Sequence, residues 1–147
     1  MTSTTEQETF AVGRRLAGLL KPGDVVLLTG RLGCGKTLFT SGIGDGLGVD
    51  EPVVSPSFVL VRSYRGFLPL IHADVYRLSS TGEFEDLDLL SDAAEGVLVI
   101  EWGGVVAQAL PEDFLTVDFE VKDDGQRVLS IRPSGSWRSR DLGPLAA

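Results

Sequence analysis

Cysteine, histidine and asparagine are nearly missing from this chain of 147 residues, which contains one cysteine, one histidine and no asparagine. The single cysteine, Cys34, excludes an internal disulfide and is typical of a reducing compartment. Long apolar runs are also absent, since none approaches the roughly 20 residues that a membrane-spanning helix requires. The amino-terminal segment MTSTTEQETF lacks the charged-then-apolar pattern of a secretory signal. We therefore expect a cytoplasmic protein that does not associate with membranes.

Positive charge is scarce as well. The chain has 13 lysine and arginine residues against 21 aspartate and glutamate residues, a net charge of −8, and only three of the basic residues are lysines. Direct binding of DNA or tRNA relies on cationic side chains that neutralise phosphates, so a chain this acidic is a poor candidate for either. Any link to nucleic acid is expected to run through a partner protein.

The apolar segments predict an α/β fold in a single domain. Hydrophobic residues make up 43% of the chain, and 147 residues are enough to bury one proper core. Two continuous apolar runs are typical of buried parallel strands, and the remaining β-rich segments are typical of antiparallel pairs joined by short links. In chain order the predicted strands cover residues 24–30, 55–64, 67–76 and 96–102, followed by a hairpin over residues 114–133.

Helical patterns separate these strands. Thr5, with Glu8 three residues later, resembles a capping box and predicts a helix that runs to Leu20. Further helices are predicted over residues 36–49, 83–93 and 105–113. Because no periodic pattern continues beyond the hairpin, we expect one domain over residues 1–133 and a flexible tail over residues 134–147.

A glycine-rich stretch with a specific spacing follows the first predicted strand. The sequence GRLGCGKT at residues 30–37 matches G-x-x-x-x-G-K-[ST], with the required strand before it and helix after it. Its glycines let the backbone curl so that successive N–H groups and the helix amino terminus point at phosphate oxygens. Lys36 would bridge the terminal phosphates, and the Thr37 hydroxyl would bind magnesium. The predicted nucleotide-binding residues of this segment are Gly30, Gly33, Cys34, Gly35, Lys36, Thr37 and Leu38.

The loop also narrows the fold class. A glycine-rich loop between a buried strand and a helix predicts a P-loop NTPase-like three-layer α/β/α fold, with a mixed central sheet and antiparallel strands at its edges. A GTP switch of the familiar type is disfavoured, because its guanine-reading Asn-Lys-x-Asp segment needs asparagine, which the chain lacks.

A phosphate loop also needs a carboxylate at the end of a neighbouring strand, where it organises magnesium and water. Glu101 follows four apolar residues in VLVIE, and Asp74 ends the segment PLIHAD. We expect Glu101 to bind the metal together with Thr37, and Asp74 to orient water or couple a switch. Lys36, Asp74 and Glu101 are the predicted catalytic residues. The alternative for either acid is a strand-end carboxylate that faces water.

Several other side chains allow two interpretations. His72, the only histidine, could share a strand face with Asp74 and donate a hydrogen bond, or it could be a packed core residue. Trp102 could lie over the nucleotide site or only fill the edge of the core. Arg77 could act as an internal arginine finger, although a surface salt bridge is the usual role. For Cys34 we expect a replacement of a small residue rather than a reactive thiolate.

Four segments taken together resemble one protein family. GRLGCGKT at 30–37, SPSF at 55–58, HADVYRL at 72–78 and IEW at 100–102 occur in the order and approximate spacing of the TsaE (YjeE) family, and the similarity covers residues 5–133. The resemblance implies that the chain binds ATP and magnesium and hydrolyses ATP slowly by itself. It also implies association with a TsaD–TsaB pair, in which TsaD transfers the threonylcarbamoyl group to adenosine in tRNA. The tRNA would then be met only through the partners.

The same resemblance implies roles for individual residues. Lys36 and Thr37 match the residues that hold phosphate and metal, and Glu101 resembles the magnesium-side glutamate of the family. Asp74 matches an aspartate that is needed for hydrolysis. Residues 55–58 resemble a nucleotide-sensitive switch.

The resemblance extends, residue by residue, to positions outside these motifs. Glu6 and Arg127 lie in regions that resemble those flanking adenine, and together with Trp102 they complete the predicted nucleotide-binding residues. At four positions the chain departs from the usual family residue. The family usually has an acid where this chain has Arg31, an arginine in place of Ser41, a threonine in place of Ser57 and a glycine in place of Asp88. None of these departures removes a group needed for phosphate or magnesium. Arg31 is the main departure, because it reverses a charge beside the phosphate loop.

Two other functions fit a phosphate loop. A small-molecule kinase would need a second substrate pocket and an arginine-bearing lid to exclude water, and the sequence shows no insertion of that size. An interaction module could bind nucleotide without hydrolysing it, which Lys36, Thr37, Asp74 and Glu101 argue against.

Overall fold

The computed structural model describes residues 2–3, 5–31, 34–54, 61–75, 88–101, 110 and 112–146. The helices are α1 (Glu6–Ala17), α2 (Lys36–Gly46) and α3 (Leu89–Asp92), with two 3-10 helices, η1 (Gly135–Ser139) and η2 (Gly143–Ala146). The strands are β1 (Thr2–Ser3), β2 (Asp24–Thr29), β3 (Val61–Tyr64), β4 (Leu70–Asp74), β5 (Val97–Glu101), β6 (Leu115–Val121) and β7 (Arg127–Pro133).

The strands in this part of the chain form one mixed sheet. Their order is β1-β7-β6-β2-β5-β4-β3, with parallel pairing among β6, β2, β5 and β4. Toward the two edges the pairing is antiparallel, between β1 and β7, between β7 and β6, and between β3 and β4. Strands β2 and β5 lie inside the sheet and are buried along both faces, which is why their sequences are continuously apolar rather than alternating. The predicted mixed sheet with antiparallel edges is confirmed.

Helices cover the two faces of the sheet and give the predicted three layers. Helices α1 and α2 pack on one face over the larger core, which includes Leu16, Phe39 and Val99. Helix α3 packs on the other face over a smaller core that includes Leu27 and Ile100. The glycine pattern explains the close fit of the first two helices, because a Cβ on Gly13 would clash with the carbonyl of Phe39.

The amino terminus of α1 begins where the sequence predicts. The Thr5 side chain accepts a hydrogen bond from the backbone N–H of Glu8 at 3.1 Å, which satisfies one of the helix's unpaired donors. Before it, β1 pairs antiparallel with β7, with Thr2 opposite Val128. This strand was not predicted, because two residues are too few to show any periodicity.

Residues 134–146, which the sequence predicts to be a flexible tail, form η1 and η2 and pack against the larger core. Trp137 is fully buried in the larger core. The Arg140 guanidinium lies 3.8 Å from the centroid of the Trp137 ring and donates to both carboxylate oxygens of Asp24, at 2.6 and 2.7 Å. Arg15 of α1 donates to the Leu145 carbonyl at 3.0 and 3.2 Å. The tail carries no periodic signal because its structure consists of short 3-10 turns anchored by individual side chains.

Some sequence predictions fall on residues outside the described ranges. The segments 55–60 and 76–87, most of the predicted helix over 105–113, and Trp102 belong to this group. Asp88, where the family usually has glycine, has a φ of +52°, in the left-handed region that favours glycine and is tolerated by aspartate. Along the described ranges, no helix is long and apolar enough to cross a membrane.

Candidate functional site

The carboxyl ends of three neighbouring parallel strands bring the predicted site together. The phosphate loop follows β2, Glu101 ends β5, and Asp74 ends β4. In the sheet register Glu101 is opposite both Leu28 of β2 and Asp74 of β4. Open α/β sheets bind ligands at this edge, because loops and helix amino termini converge there.

The glycines that bound the loop have backbone conformations that other residues avoid. Gly30 has a φ of +134° and Gly35 has a φ of +106°. A Cβ on Gly30 would lie 2.7 Å from the Phe119 carbonyl oxygen and 2.9 Å from the Cys34 sulfur. Gly35 is the N-cap of α2 and has no side chain with which to cap the helix, so the first N–H groups of α2 face the loop. This is the backbone arrangement that binds phosphate. Gly33 lies outside the described residues, so its role stays a prediction.

Lys36 is the cation of the site. Its side chain is in the first turn of α2, the residue is only 5% exposed, and its Nζ donates to the carbonyl of Gly30. Burial lowers the pKa of Lys36, and the charges of Cys34, Glu101 and Asp74 act in the opposite direction. A bound triphosphate would offset the cost of burying this ammonium.

Glu101 is held between two side chains. The residue is 4% exposed, its Oε1 lies 3.4 Å from the Thr37 hydroxyl oxygen, and its Oε2 lies 2.8 Å from His72 Nε2. The structure therefore brings together the two residues predicted to bind metal. No group of three or more His, Cys, Asp or Glu side chains able to hold a metal occurs within the described residues. A hydroxyl and one carboxylate fit magnesium, which takes its remaining ligands from phosphates and water.

Asp74 and His72 both come from β4. Asp74 is 7% exposed, and its charge partly opposes the lowering of the Lys36 pKa by burial. The sequence allows His72 either a hydrogen-bonding role or a packed core position, and the structure combines the two, because the ring is fully buried and bonded to Glu101. The contact could not be predicted, because it depends on β4 and β5 being neighbours.

The residues predicted to lie near adenine, Glu6 and Arg127, come from α1 and β7. Arg127 at the start of β7 lies against the loop, with its Nε 3.2 Å from where a Cβ on Gly35 would be, and Thr9 of α1 lies beside the same point. The Arg127 Nε is buried and has no hydrogen-bond partner among the described residues. Glu6 is exposed in the first turn of α1, and Leu38 is half-buried in the first turn of α2. Their contacts with nucleotide stay predictions.

A polar network beside the loop was not predicted. Thr29, the last residue of β2, donates its hydroxyl hydrogen to Asp118 of β6. Arg132 of β7 donates to the same carboxylate, at 2.6 Å from Nε and 3.2 Å from the terminal nitrogen. Burial works against ionisation of Asp118, but the hydrogen bonds from Arg132 and Thr29 hold its pKa below the usual value. The network fixes the backbone from which the loop departs, and only the register of β2, β6 and β7 creates it.

Two of the departures from the family pattern have simple surroundings. Arg31 is exposed and lines a surface depression with Glu120, Lys122, Asp123 and Asp124 of the β6–β7 hairpin, where three of these four neighbours are acidic. Ser41 donates its hydroxyl hydrogen to the Val53 carbonyl at 3.2 Å.

Cys34 is expected to be unreactive in the folded protein. The residue is 2% exposed, and burial raises the pKa of its thiol despite the opposing effect of Lys36. At neutral pH we expect iodoacetamide to alkylate Cys34 about tenfold or more slowly in the native protein than in guanidinium chloride, because the thiolate is the nucleophile. Mass spectrometry of timed samples measures both rates. Equal rates would show that the thiol is accessible and ionised in the fold.

Comparison with known proteins identifies the family of this chain. Residues 3–129 match the family model described as threonylcarbamoyl adenosine biosynthesis protein TsaE. A relative from Streptomyces coelicolor, named tRNA threonylcarbamoyladenosine biosynthesis protein TsaE, is 43% identical over 144 residues, covering 92% of this chain and 97% of the relative. A protein of the same name from Treponema pallidum is 42% identical over 130 residues, covering 88% and 96% of the two chains.

A solved structure is similar as well. The crystal structure of Bacillus subtilis YdiB superposes with a TM-score of 0.78 at 31% sequence identity, covering 94% of this chain and 87% of that one. The family match spans the phosphate loop, both carboxylates and most of the sheet. The chain therefore belongs to the TsaE family of tRNA threonylcarbamoyladenosine biosynthesis proteins.

Proposed function

We propose that this protein is a magnesium-dependent ATPase that assists a TsaD–TsaB-type complex in threonylcarbamoyladenosine modification of tRNA. The observation that carries the ATPase proposal is the meeting of Thr37 and Glu101, 3.4 Å apart, beside the buried Lys36 at the carboxyl edge of the sheet. Family membership supports the link to tRNA modification.

Each group of the site has a separate proposed role in phosphoryl transfer. The loop N–H groups and Lys36 would bind the phosphates, and Thr37 and Glu101 would hold magnesium. Magnesium supplies neutralisation of the charge that develops on the phosphate oxygens. Asp74, which is opposite Glu101 at the end of the neighbouring strand β4, would orient the attacking water. The protein would form no covalent bond to the phosphate, so it would act by positioning the reactants and by electrostatic stabilisation of the transition state.

The nucleotide is proposed to be ATP, and the partners are proposed to be proteins. The absence of asparagine argues against a guanine-reading segment of the familiar type, and the resemblance of the sequence motifs to the TsaE family, which implies ATP binding, supports adenine. A net charge of −8 supports contact with tRNA through the partner complex rather than by this chain.

Substitution of either carboxylate, Asp74 or Glu101, is predicted to reduce ATP hydrolysis without a large change in ATP binding. We expect Asp74→Asn and Glu101→Gln each to lower ATP hydrolysis by about 100-fold or more, because general-base and metal-positioning groups contribute on that scale. Binding of ATP in the absence of metal should stay within about threefold of wild type, since Lys36 and the loop are intact. Phosphate release, assayed with the TsaD–TsaB pair present, gives the turnover, and calorimetry gives the binding.

Matched exposed acids serve as controls for this experiment. Glu95 precedes β5 and Asp123 lies in the β6–β7 turn, and both are exposed. Glu95→Gln and Asp123→Asn should hydrolyse ATP at the wild-type rate. Wild-type turnover in both Asp74→Asn and Glu101→Gln would contradict the site. Nucleotide-dependent association with the partner pair and no hydrolysis by wild type would favour an interaction module instead.

A further inference from the structure

We propose that His72 is a positioning residue that sets the orientation of the Glu101 carboxylate, so that Oε2 is held by the imidazole and Oε1 faces Thr37 and the metal. The inference rests on the proposed function, because it concerns the magnesium-side carboxylate of the same site. It assigns a role to a buried histidine that the catalytic scheme above does not use.

The sheet register places the two side chains on the same face. His72 is opposite Val99 and Asp74 is opposite Glu101 in the parallel β4–β5 ladder. Because side chains alternate along a strand, His72 and Glu101 point to the same side as Val99. Val99 belongs to the core under α1 and α2, so the pair lies between the sheet and the helix that carries Thr37.

The hydrogen bond between them is sheltered from water. The His72 side chain is fully buried and the Glu101 side chain is 5% exposed, with 2.8 Å between His72 Nε2 and Glu101 Oε2. A carboxylate that binds magnesium only accepts hydrogen bonds, so in the proposed arrangement His72 Nε2 would donate to Glu101 Oε2. Histidine bonds of this kind behind a metal-site ligand fix its rotamer, and their loss usually reduces metal affinity by about 10- to 100-fold.

Only one carboxylate oxygen of Glu101 is then directed toward the metal. With Oε2 bonded to His72, Oε1 lies 3.4 Å from the Thr37 hydroxyl oxygen. Without the imidazole, Oε2 of Glu101 loses the contact that the structure shows for it, and the glutamate side chain at the end of β5 is less restricted in orientation. The expected result is weaker magnesium binding with an intact nucleotide loop.

Three substitutions separate this role from packing. His72→Gln keeps a nitrogen donor with similar reach, His72→Asn keeps an amide that is too short to reach Glu101, and His72→Leu fills the space without a donor. Calorimetric ATP titrations in excess magnesium and in EDTA give, for each protein, the factor by which magnesium tightens ATP binding. Thermal unfolding of the same samples reports packing separately.

We expect this magnesium factor to fall by about 10- to 100-fold in His72→Asn and His72→Leu and to stay within about threefold of wild type in His72→Gln. The affinity in EDTA should stay within about twofold in all three, because the loop is unchanged. Magnesium factors that are equal in His72→Gln and His72→Asn would overturn the role of His72, whether or not His72→Leu folds. A wild-type protein whose ATP affinity does not respond to magnesium would instead overturn the proposed function.

Discussion

Replacement of Trp137 with alanine is expected to lower the free energy of unfolding by about 3–5 kcal/mol, the usual cost of emptying the space of a large buried aromatic ring. Trp137 is fully buried and belongs to the larger core, yet it lies outside residues 3–129 that match the family model. Urea unfolding followed by circular dichroism measures the change. A loss below about 1 kcal/mol would show that residues 134–146 do not stabilise the domain in solution.

Companion variants show which contacts of this segment matter. Trp137→Phe should lose much less stability than Trp137→Ala, because the ring volume is largely kept and the indole N–H has no hydrogen-bond partner among the described residues. Arg140→Ala should lose about 1–2 kcal/mol, because it leaves the buried Asp24 carboxylate without its cationic partner.

The controls for this set are exposed side chains of the same types. Phe67 is 85% exposed, and Arg138 lies exposed in η1 next to the buried tryptophan. Phe67→Ala and Arg138→Ala should each change the free energy of unfolding by no more than about 0.5 kcal/mol. A large effect in these controls would mean that exposure in the structure does not describe the protein in solution.

Replacement of Lys36 with methionine is expected to weaken binding of magnesium-ATP by about 30- to 5,000-fold, which corresponds to losing about 2–5 kcal/mol for one partner of a buried charged pair. Lys36 is 5% exposed at the amino terminus of α2, where its ammonium would meet the terminal phosphates. Methionine keeps the length of the side chain and removes the charge. Calorimetry with ATP and magnesium measures the affinity.

The Lys36→Met substitution, which weakens ATP binding, is expected to leave the stability of the fold unchanged or to increase it. Burial lowers the pKa of Lys36, so the folded protein disfavours the charged form relative to the unfolded chain. That penalty is fully present below the folded-state pKa and disappears as the pH rises through the ordinary value for lysine. At neutral pH, Lys36→Met should therefore unfold at the wild-type temperature or above it.

A lysine at the other end of β2 provides the control. Lys21 is exposed and precedes β2, so it lies at the opposite end of that strand from the loop. Lys21→Met should bind magnesium-ATP with wild-type affinity. Wild-type affinity in Lys36→Met would contradict the phosphate site, whereas a fall in both variants would indicate a general effect of charge.

Some of the site is local in sequence and could be predicted from it. The proposed phosphate loop at residues 30–37 would act through backbone N–H groups, a helix terminus and two adjacent side chains, so its motif is contained in eight consecutive residues. The start of α1 at Thr5 is local in the same sense, because the cap and its partner Glu8 are three residues apart. Strand-end acids after apolar runs are also visible in one sequence, and both Asp74 and Glu101 lie at the predicted edge.

Other parts of the site depend on which strands are neighbours. The bond between His72 and Glu101 joins residues 29 positions apart, and the bond between Thr29 and Asp118 joins residues 89 positions apart. Both exist because of the strand order and register, and a shift of one residue would turn each side chain to the other face. Neither periodicity nor composition carries that information.

The α/β class, the phosphate-loop motif with its lysine and threonine, and the two acids that end β4 and β5 are visible in the sequence alone. Short-range backbone preferences and apolar patterning decide those features. The tertiary structure is needed to show that His72 contacts Glu101 and that Arg127 lies beside the loop. It is also needed to show that Trp137 and Arg140 anchor residues 134–146 to the rest of the domain. These contacts join distant segments, and their geometry follows from the packing of the whole sheet rather than from any local pattern.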